Sequence, residues 1–317
     1  MTSSPPGKIL AIGNIYVETN YIGVVTHQTK QLSAGNEYRA PHWEVRLGGS
    51  ATNFAVQMTQ LGMQAGLIGR VGDDEMGKRL LTLLEQKNID AQFVLTDRTG
   101  SVQTSIDTGV VFPDGDNIQL VAGNANQMLT INDIPVPNIL NEHISALYLG
   151  GFLKQTGLVD SYPELLQSLS AKNIPLFLDH GRIPVDMSQH HKDILFKSLA
   201  YVHGYFPNKE ELLGISGQKT VESALSFMLE KGPKVIGVKM GAEGCIIKTK
   251  DEERKIPGFV VRAISTVGAG DAFNAGFIYA FIHGKSLKEC GVYACATAAL
   301  RVQNNTNPTL QQIHSII

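Results

Sequence analysis

Ser265-Thr266-Val267-Gly268-Ala269-Gly270-Asp271-Ala272-Phe273-Asn274-Ala275-Gly276 is the stretch on which the reading of this chain turns. Gly268 and Gly270 let the backbone turn its N–H groups inward beside a ligand. Asp271 then opens a helix predicted to run to His283, and the N-terminal end of a helix carries unpaired donors and partial positive charge. Such an end binds anions. A phosphoryl group in transit between two oxygens needs donors of this kind, because its transition state is stabilised mainly by positioning and electrostatics. A carboxylate beside the donors can take the proton of an incoming alcohol, which is worth about 10²–10⁴ in rate. The same four residues, Gly268 to Asp271, also fit a plain loop with an Asp helix cap.

Working outward, short apolar runs alternate with helical patterns. Ile9–Ile12 ends at Gly13, and further runs lie at Ala146–Leu149, Leu176–Leu178, Tyr201–Phe206 and Val235–Val238. Leu67–Val71 leads to Asp73 as the expected helix cap, with Met76, Leu80, Leu83 and Leu84 on one face of the helix that follows. Strands separated by helices imply an α/β fold, a three-layer mostly parallel sheet flanked by helices. Two β-prone patches interrupt this order. His42–Leu47 alternates as a sheet with one wet face would, and Thr104–Val121 is split by Asp114-Gly115, a hairpin-turn signal. We therefore expect a small β lid from residues 17–46 and 94–121, inserted into a main α/β domain of residues 8–16, 47–93 and 122–317.

Composition narrows the classes. The 317 residues are 43% hydrophobic and 18% charged, enough for a sizeable core. The net charge of −2 and the lack of a Lys/Arg-rich run argue against a nucleic-acid partner. No stretch approaches the roughly 18 apolar residues of a membrane span. Cys245, Cys290 and Cys295, without a CxxC spacing, read as reduced thiols in a cytoplasmic protein. Gly284-Lys285-Ser286 imitates the end of a P-loop, but Tyr279 stands where its first Gly is required, so it reads as a turn between helices. His190-His191 lacks a ligand cluster and reads as a solvated helix start.

Three further segments carry polar groups at strand-to-helix junctions. Gly48-Gly49-Ser50-Ala51-Thr52-Asn53 precedes a helix with Ala51, Ala55, Met58 and Leu61 on one face and Gly62 as a stop. Its glycines permit close approach to a polyol and Asn53 offers donor and acceptor to a sugar hydroxyl, although a turn and helix start explain it equally. Asn208 and Glu211 share a helix face, as a Mg²⁺-water site or an exposed helix start would need. Lys239-Met240-Gly241-Ala242-Glu243-Gly244 either lies along nucleotide phosphates or makes a hairpin turn.

In this order, from Ile9 to about Pro308, these segments resemble the ribokinase-like (PfkB-type) carbohydrate kinases. Gly48–Asn53 is similar to that family's first signature, Gly69-Arg70-Val71-Gly72-Asp73-Asp74 with Gly77 to the block after it, Asn208/Glu211 to its Asn-x-x-Glu motif, and Gly268–Asp271 to its second signature. The resemblance implies an ATP-dependent kinase acting on the hydroxymethyl group of a sugar-like substrate, with Asp271 as base and Gly268, Ala269 and Gly270 as anion hole. It implies Glu18, Gly48, Gly49 and Asn53 as substrate ligands, with Glu18 at the end of the first strand. Asn208, Lys239, Gly241, Gly244 and Gly270 would bind ATP, with Glu211 and Asn208 holding Mg²⁺ through water. It further implies a homodimer formed through the lid. Where relatives carry an acidic residue and a Gly, this chain has Ser265 and Thr306, which leaves a monovalent cation open. Asp179-His180-Gly181-Arg182 resembles an Asp-x-x-Arg stretch of fructokinase and ketodeoxygluconate kinase relatives. A nucleoside kinase is the rival on the same fold, with Tyr16, Trp43 and Phe112 available to stack on a base, and a non-catalytic binding protein is the rival from another class.

Overall fold

The computed structural model describes residues 6–25, 32–113, 117–181 and 187–317. Its strands are β1 (Lys8–Gly13), β2 (Tyr16–Ile22), β3 (His42–Gly48), β4 (Ala65–Gly72), β5 (Ile89–Asp97), β6 (Ile106–Val111), β7 (Asn117–Ala122), β8 (Ile144–Gly150), β9 (Leu176–Asp179), β10 (Gly204–Tyr205), β11 (Val235–Lys239), β12 (Cys245–Lys248) and β13 (Glu253–Ile256). The large sheet has the order β13-β12-β11-β10-β9-β8-β1-β4-β5. It is parallel from β5 to β11, and β12 and β13 close it antiparallel.

Because successive side chains of a strand point to opposite faces, one apolar run feeds two cores. Ile9 and Ala11 of β1 pack into one cluster and Leu10 and Ile12 into the other; β8 divides the same way, Ala146 and Tyr148 against Leu147 and Leu149. Helices Ser50–Gln60, Glu75–Gln86, Ala269–Ile282 and Leu287–Asn304 cover the first face. Helices Tyr162–Ser170, Gln189–Leu199, Lys209–Ser216 and Val221–Leu229 cover the second. Each fully buried Leu, Ile or Phe contributes about 1.5–3 kcal/mol of transfer free energy. This is the three-layer α/β fold expected from the alternating pattern.

β2, β3, β6 and β7 form a second sheet, ordered β3-β2-β6-β7. Its pleat sorts polar from apolar. Arg46, Glu18 and Asp107 lie side by side in register on one face, and Glu18, Asn20, Arg46, Gly109, Asn117 and Gln119 line a cleft of about 880 Å³. Trp43, Tyr21 and Leu120 alternate with these residues and are exposed on the other face.

Several local expectations are corrected. The helix after β4 starts at Glu75 and is capped by Asp74, whose carboxylate accepts from the Gly77 N–H at 2.7 Å. Asp73 is instead held to the strand end by its N–H bond to the Asp97 carbonyl. Leu80, Leu83 and Leu84 are buried, but Met76 is exposed. The run Tyr201–Phe206 yields only the two residues of β10. The boundary expected at residue 94 falls inside β5, where Val94–Asp97 pair with Gly69–Gly72 of the large sheet. The Asp114-Gly115 turn and Arg182 lie outside the described residues, although the strands flanking the turn pair antiparallel. Gly284, at φ +68°, does sit between two helices.

Candidate active site

Parallel α/β sheets bind ligands outside the carboxyl ends of their strands, where the strand order reverses. Here the order reverses between β1 and β8. Asp179 is the last residue of β9, Lys239 the last of β11, and Asn208 follows β10. Helix Ala269–Ile282 begins at the same end. Gly268, at φ +77°, is its cap, so Asp271 is the third residue of the helix and not its first.

Asp271 accepts a hydrogen bond from Asn53 Nδ2 at 3.0 Å and faces the Tyr148 hydroxyl at 3.5 Å. Tyr148 stacks on Phe54 with centroids 4.0 Å apart, which fixes its ring. Asn274, one helical turn beyond Asp271, donates to the Tyr148 oxygen at 3.1 Å and to Asp179 at 2.6 Å. Lys239 Nζ closes the network on Asp179 at 2.6 Å. Both ends of this chain are carboxylates, and their environments drive them apart. Burial, and then the Asp179 charge, push Asp271 up to about 7 against the pull of Asn53, Lys239 and Tyr148. Burial would raise Asp179 too, but the Lys239 ammonium and the neighbouring His180 together outweigh it and hold that carboxyl well below its usual range. A side chain poised near neutrality can accept a proton at neutral pH, and here burial, reinforced by the charge of Asp179, poises it.

Glu18 lies in β2 of the small sheet, not at the end of the first strand as expected. It is buried, accepts from Arg46 at 2.7 Å and Asn20 at 2.9 Å, and sits so close to Gly48 that any side chain at 48 would strike its carboxylate. Gly49, at φ +93°, caps the helix carrying Asn53. The expected substrate set is thus continuous from Glu18 through Gly48 and Gly49 to Asn53 and Asp271, with Glu18 alone also lining the cleft. Phe112 lines that cleft, Tyr16 is buried, and Trp43 faces away from it.

Asn208 and Glu211 form a reciprocal capping box: the Asn208 side chain accepts from Glu211 N–H and Glu211 from Asn208 N–H, each at 2.8 Å. The Asn208 side-chain oxygen thus caps the helix at the Glu211 N–H, and the Glu211 carboxylate is held by the backbone N–H of Asn208. Asp179, His180 and Glu211 bring ligand atoms within 4.8 Å of one another. Two carboxylates fit a hard cation such as Mg²⁺ held through water. Both His180 nitrogens are buried without a partner among the described residues, and imidazole is not a donor Mg²⁺ favours. Gly270 packs against the Lys239–Asp179 pair, whereas Gly241 and Gly244 form the turn joining β11 to β12.

Asp179, Tyr148, Asn274 and Arg301 had no assigned role in the sequence reading. For Asn274 the signal was its i+3 spacing from Asp271, and for Asp179 its position closing an apolar run. Arg301, 7% exposed, lies on helix Leu287–Asn304 beside Gly268. Burial, with help from Arg46, lowers its pKa, and Asp271 and Glu18 pull the other way.

The chain is similar to known proteins along nearly its whole length. The 5-dehydro-2-deoxygluconokinase of Geobacillus thermodenitrificans is 28% identical over 329 residues, covering 98% of this chain and 93% of that one. A PfkB protein from Polaromonas sp. JS666 superposes with a TM-score of 0.83 at 22% identity, over 98% of this chain and 99% of that one. A putative ribokinase II from E. coli, solved with ATP and Mg²⁺, gives 0.82 at 23% identity over 98% of both. The family model described as pfkB family carbohydrate kinase matches residues 9–309, and the chain belongs to that family of carbohydrate kinases.

Proposed function

We propose that this kinase transfers the γ-phosphoryl group of ATP to a hydroxymethyl oxygen of a sugar or sugar-like substrate, with Asp271 as the base. The observation that carries this reading is a carboxylate placed near neutrality in the first turn of a helix whose cap is glycine. The acceptor oxygen attacks phosphorus, its proton passes to Asp271, and the bond to the ADP oxygen breaks. The N–H groups at Gly268 and Gly270 receive the charge on the moving phosphoryl oxygens, whereas the Ala269 N–H, expected to join them, is bonded to the Thr266 carbonyl at 3.2 Å. Glu18, Gly48, Gly49 and Asn53 hold the acceptor's other hydroxyls. Asn208, Lys239, Gly241, Gly244 and Gly270 contact the nucleotide. Asp179 and Glu211 would hold Mg²⁺, which when bound spreads phosphate charge, and Asn208 keeps Glu211 in position.

A sugar acceptor is supported by Glu18, Glu44, Arg46 and Arg262 in the cleft lining and by the placement of Trp43 on the opposite face of the small sheet. Of the three aromatics expected to stack on a base, Phe112 is then the one that lines the cleft. That opposite face, with Tyr21, Trp43 and Leu120 exposed, is where a second copy would dock. Three buried, unbridged cysteines suit a reducing cytoplasm, and among the described residues no helix is long and apolar enough to cross a membrane. The test is ADP release with Mg·ATP against ketoses, aldoses, sugar acids, polyols and nucleosides. Turnover with one class, lost in Asp271→Asn, supports the reading. Equal turnover in that variant, or turnover with nucleosides alone, rejects it.

A further inference from the structure

We infer that Arg301 supplies the fixed positive charge of the anion hole at Gly268–Gly270. Two independent features converge there. One is the N-terminal end of the 14-residue helix Ala269–Ile282. The other is a guanidinium that reaches it from a different helix. A Cβ built on Gly268 would lie 3.3 Å from Arg301 Nε and 3.5 Å from Nη2, so the guanidinium rests against the bare Cα of that residue. Gly268 is required for its φ of +77°, and a side chain there would also press on the guanidinium.

The side chain is nine-tenths buried, yet among the described residues it makes no ion pair. Its one hydrogen bond there is from Nη1 to Asn305 Oδ1 at 3.0 Å. Nε and Nη2, the atoms nearest Gly268, have no hydrogen-bond partner among the described residues and keep some contact with solvent. A buried cation without a direct ion pair is costly. The carboxylates of Asp271, Glu18 and Glu44 offset part of that from a distance, and its place in the last turn of a helix recovers a further fraction through the helix dipole. The missing partner is supplied when negative charge gathers on the phosphoryl oxygens above Gly268. A charge fixed before the reaction needs no reorganisation during it. Arg301 acts behind the loop N–H groups, as a positioning charge, and leaves nucleotide binding itself to other residues.

This rests on the kinase reading above, and one set of measurements separates the two. Steady-state kinetics would use the acceptor that turns over fastest in the ADP-release panel, with wild type, Arg301→Met and Arg301→Lys. Calorimetric titration of Mg·ADP and melting curves would accompany them. Arg301→Met should lower kcat about 100-fold, leaving KM for the acceptor and Kd for Mg·ADP within about threefold. Arg301→Lys should keep kcat within about tenfold of wild type, because the charge remains. If Arg301→Met does not fold, Arg301→Gln takes its place. A neutral variant with kcat within about threefold of wild type overturns the inference, and so does a rise in KM at unchanged kcat. Wild-type binding of Mg·ADP without turnover of any acceptor would instead remove the kinase reading, and this inference with it.

Discussion

The carboxyl end of the large sheet and the polar face of the small sheet hold their charged groups in different ways. At the large sheet, Asp179 is gripped by Lys239 and Asn274, and Asn274 and Asn53 in turn fix Tyr148 and Asp271. Partners come from separate strands and helices, so movement of one element is resisted by the rest. At the small sheet, Glu18 is held by its cross-strand neighbour Arg46 and by Asn20, within one sheet. Asp107 beside it is buried with Oδ1 unpartnered among the described residues, and burial together with Glu18 pushes it up to about 6. The first region holds its charged groups with partners from several strands and helices, and the second with partners inside a single sheet whose polar face lines the cleft.

The largest expected effect breaks the first region at its centre. Asp271→Asn should lower kcat by about 10²–10⁴ with little change in melting temperature. Next, Lys239→Met leaves Asp179 buried without its cation, which should cost about 3–5 kcal/mol of stability in denaturant unfolding. Losing Lys239 also removes a charge that lowers the Asp271 pKa, so the same variant should need a higher pH for activity. A smaller effect is expected on the small sheet. Glu18→Gln weakens a charged hydrogen-bond acceptor and should raise the acceptor KM about tenfold, with kcat within about threefold. If kcat falls more than KM rises, the division of labour between the regions is wrong. The smallest effect belongs to the outer face: Trp43→Ser should change monomer stability by no more than about 0.5 kcal/mol and leave kinetics unaltered.

How much of this was legible beforehand follows from which interactions are local. The alternating strands and helices, and the glycine loop before Asp271, are written in short stretches whose periodicity or backbone demands stand out. Ala51, Ala55, Met58 and Leu61 are buried as their spacing required. Boundaries were less legible, since Asp73 and Asp74 are both competent caps and a bond from Asp97, remote in sequence, chooses between them. The Asp179–Lys239 pair spans 60 positions and Asn53–Asp271 spans 218, so nothing in either segment announces the other. Arg301 is hidden for the same reason: on its own helix it is an ordinary C-terminal cation, and only the packing of that helix against Ala269–Ile282 turns it toward Gly268.

The pH dependence of kcat/KM tests the central claim most directly, because it reads the base in the free enzyme. Asp271 poised at about 7 is about one-tenth ionised at pH 6 and about nine-tenths at pH 8. The rate should therefore fall on acidification with a midpoint near neutrality, and the residual rate of Asp271→Asn should lack that limb. A wild-type profile that stays flat down to about pH 5 would mean an ordinary, solvated carboxylate, and would contradict the account.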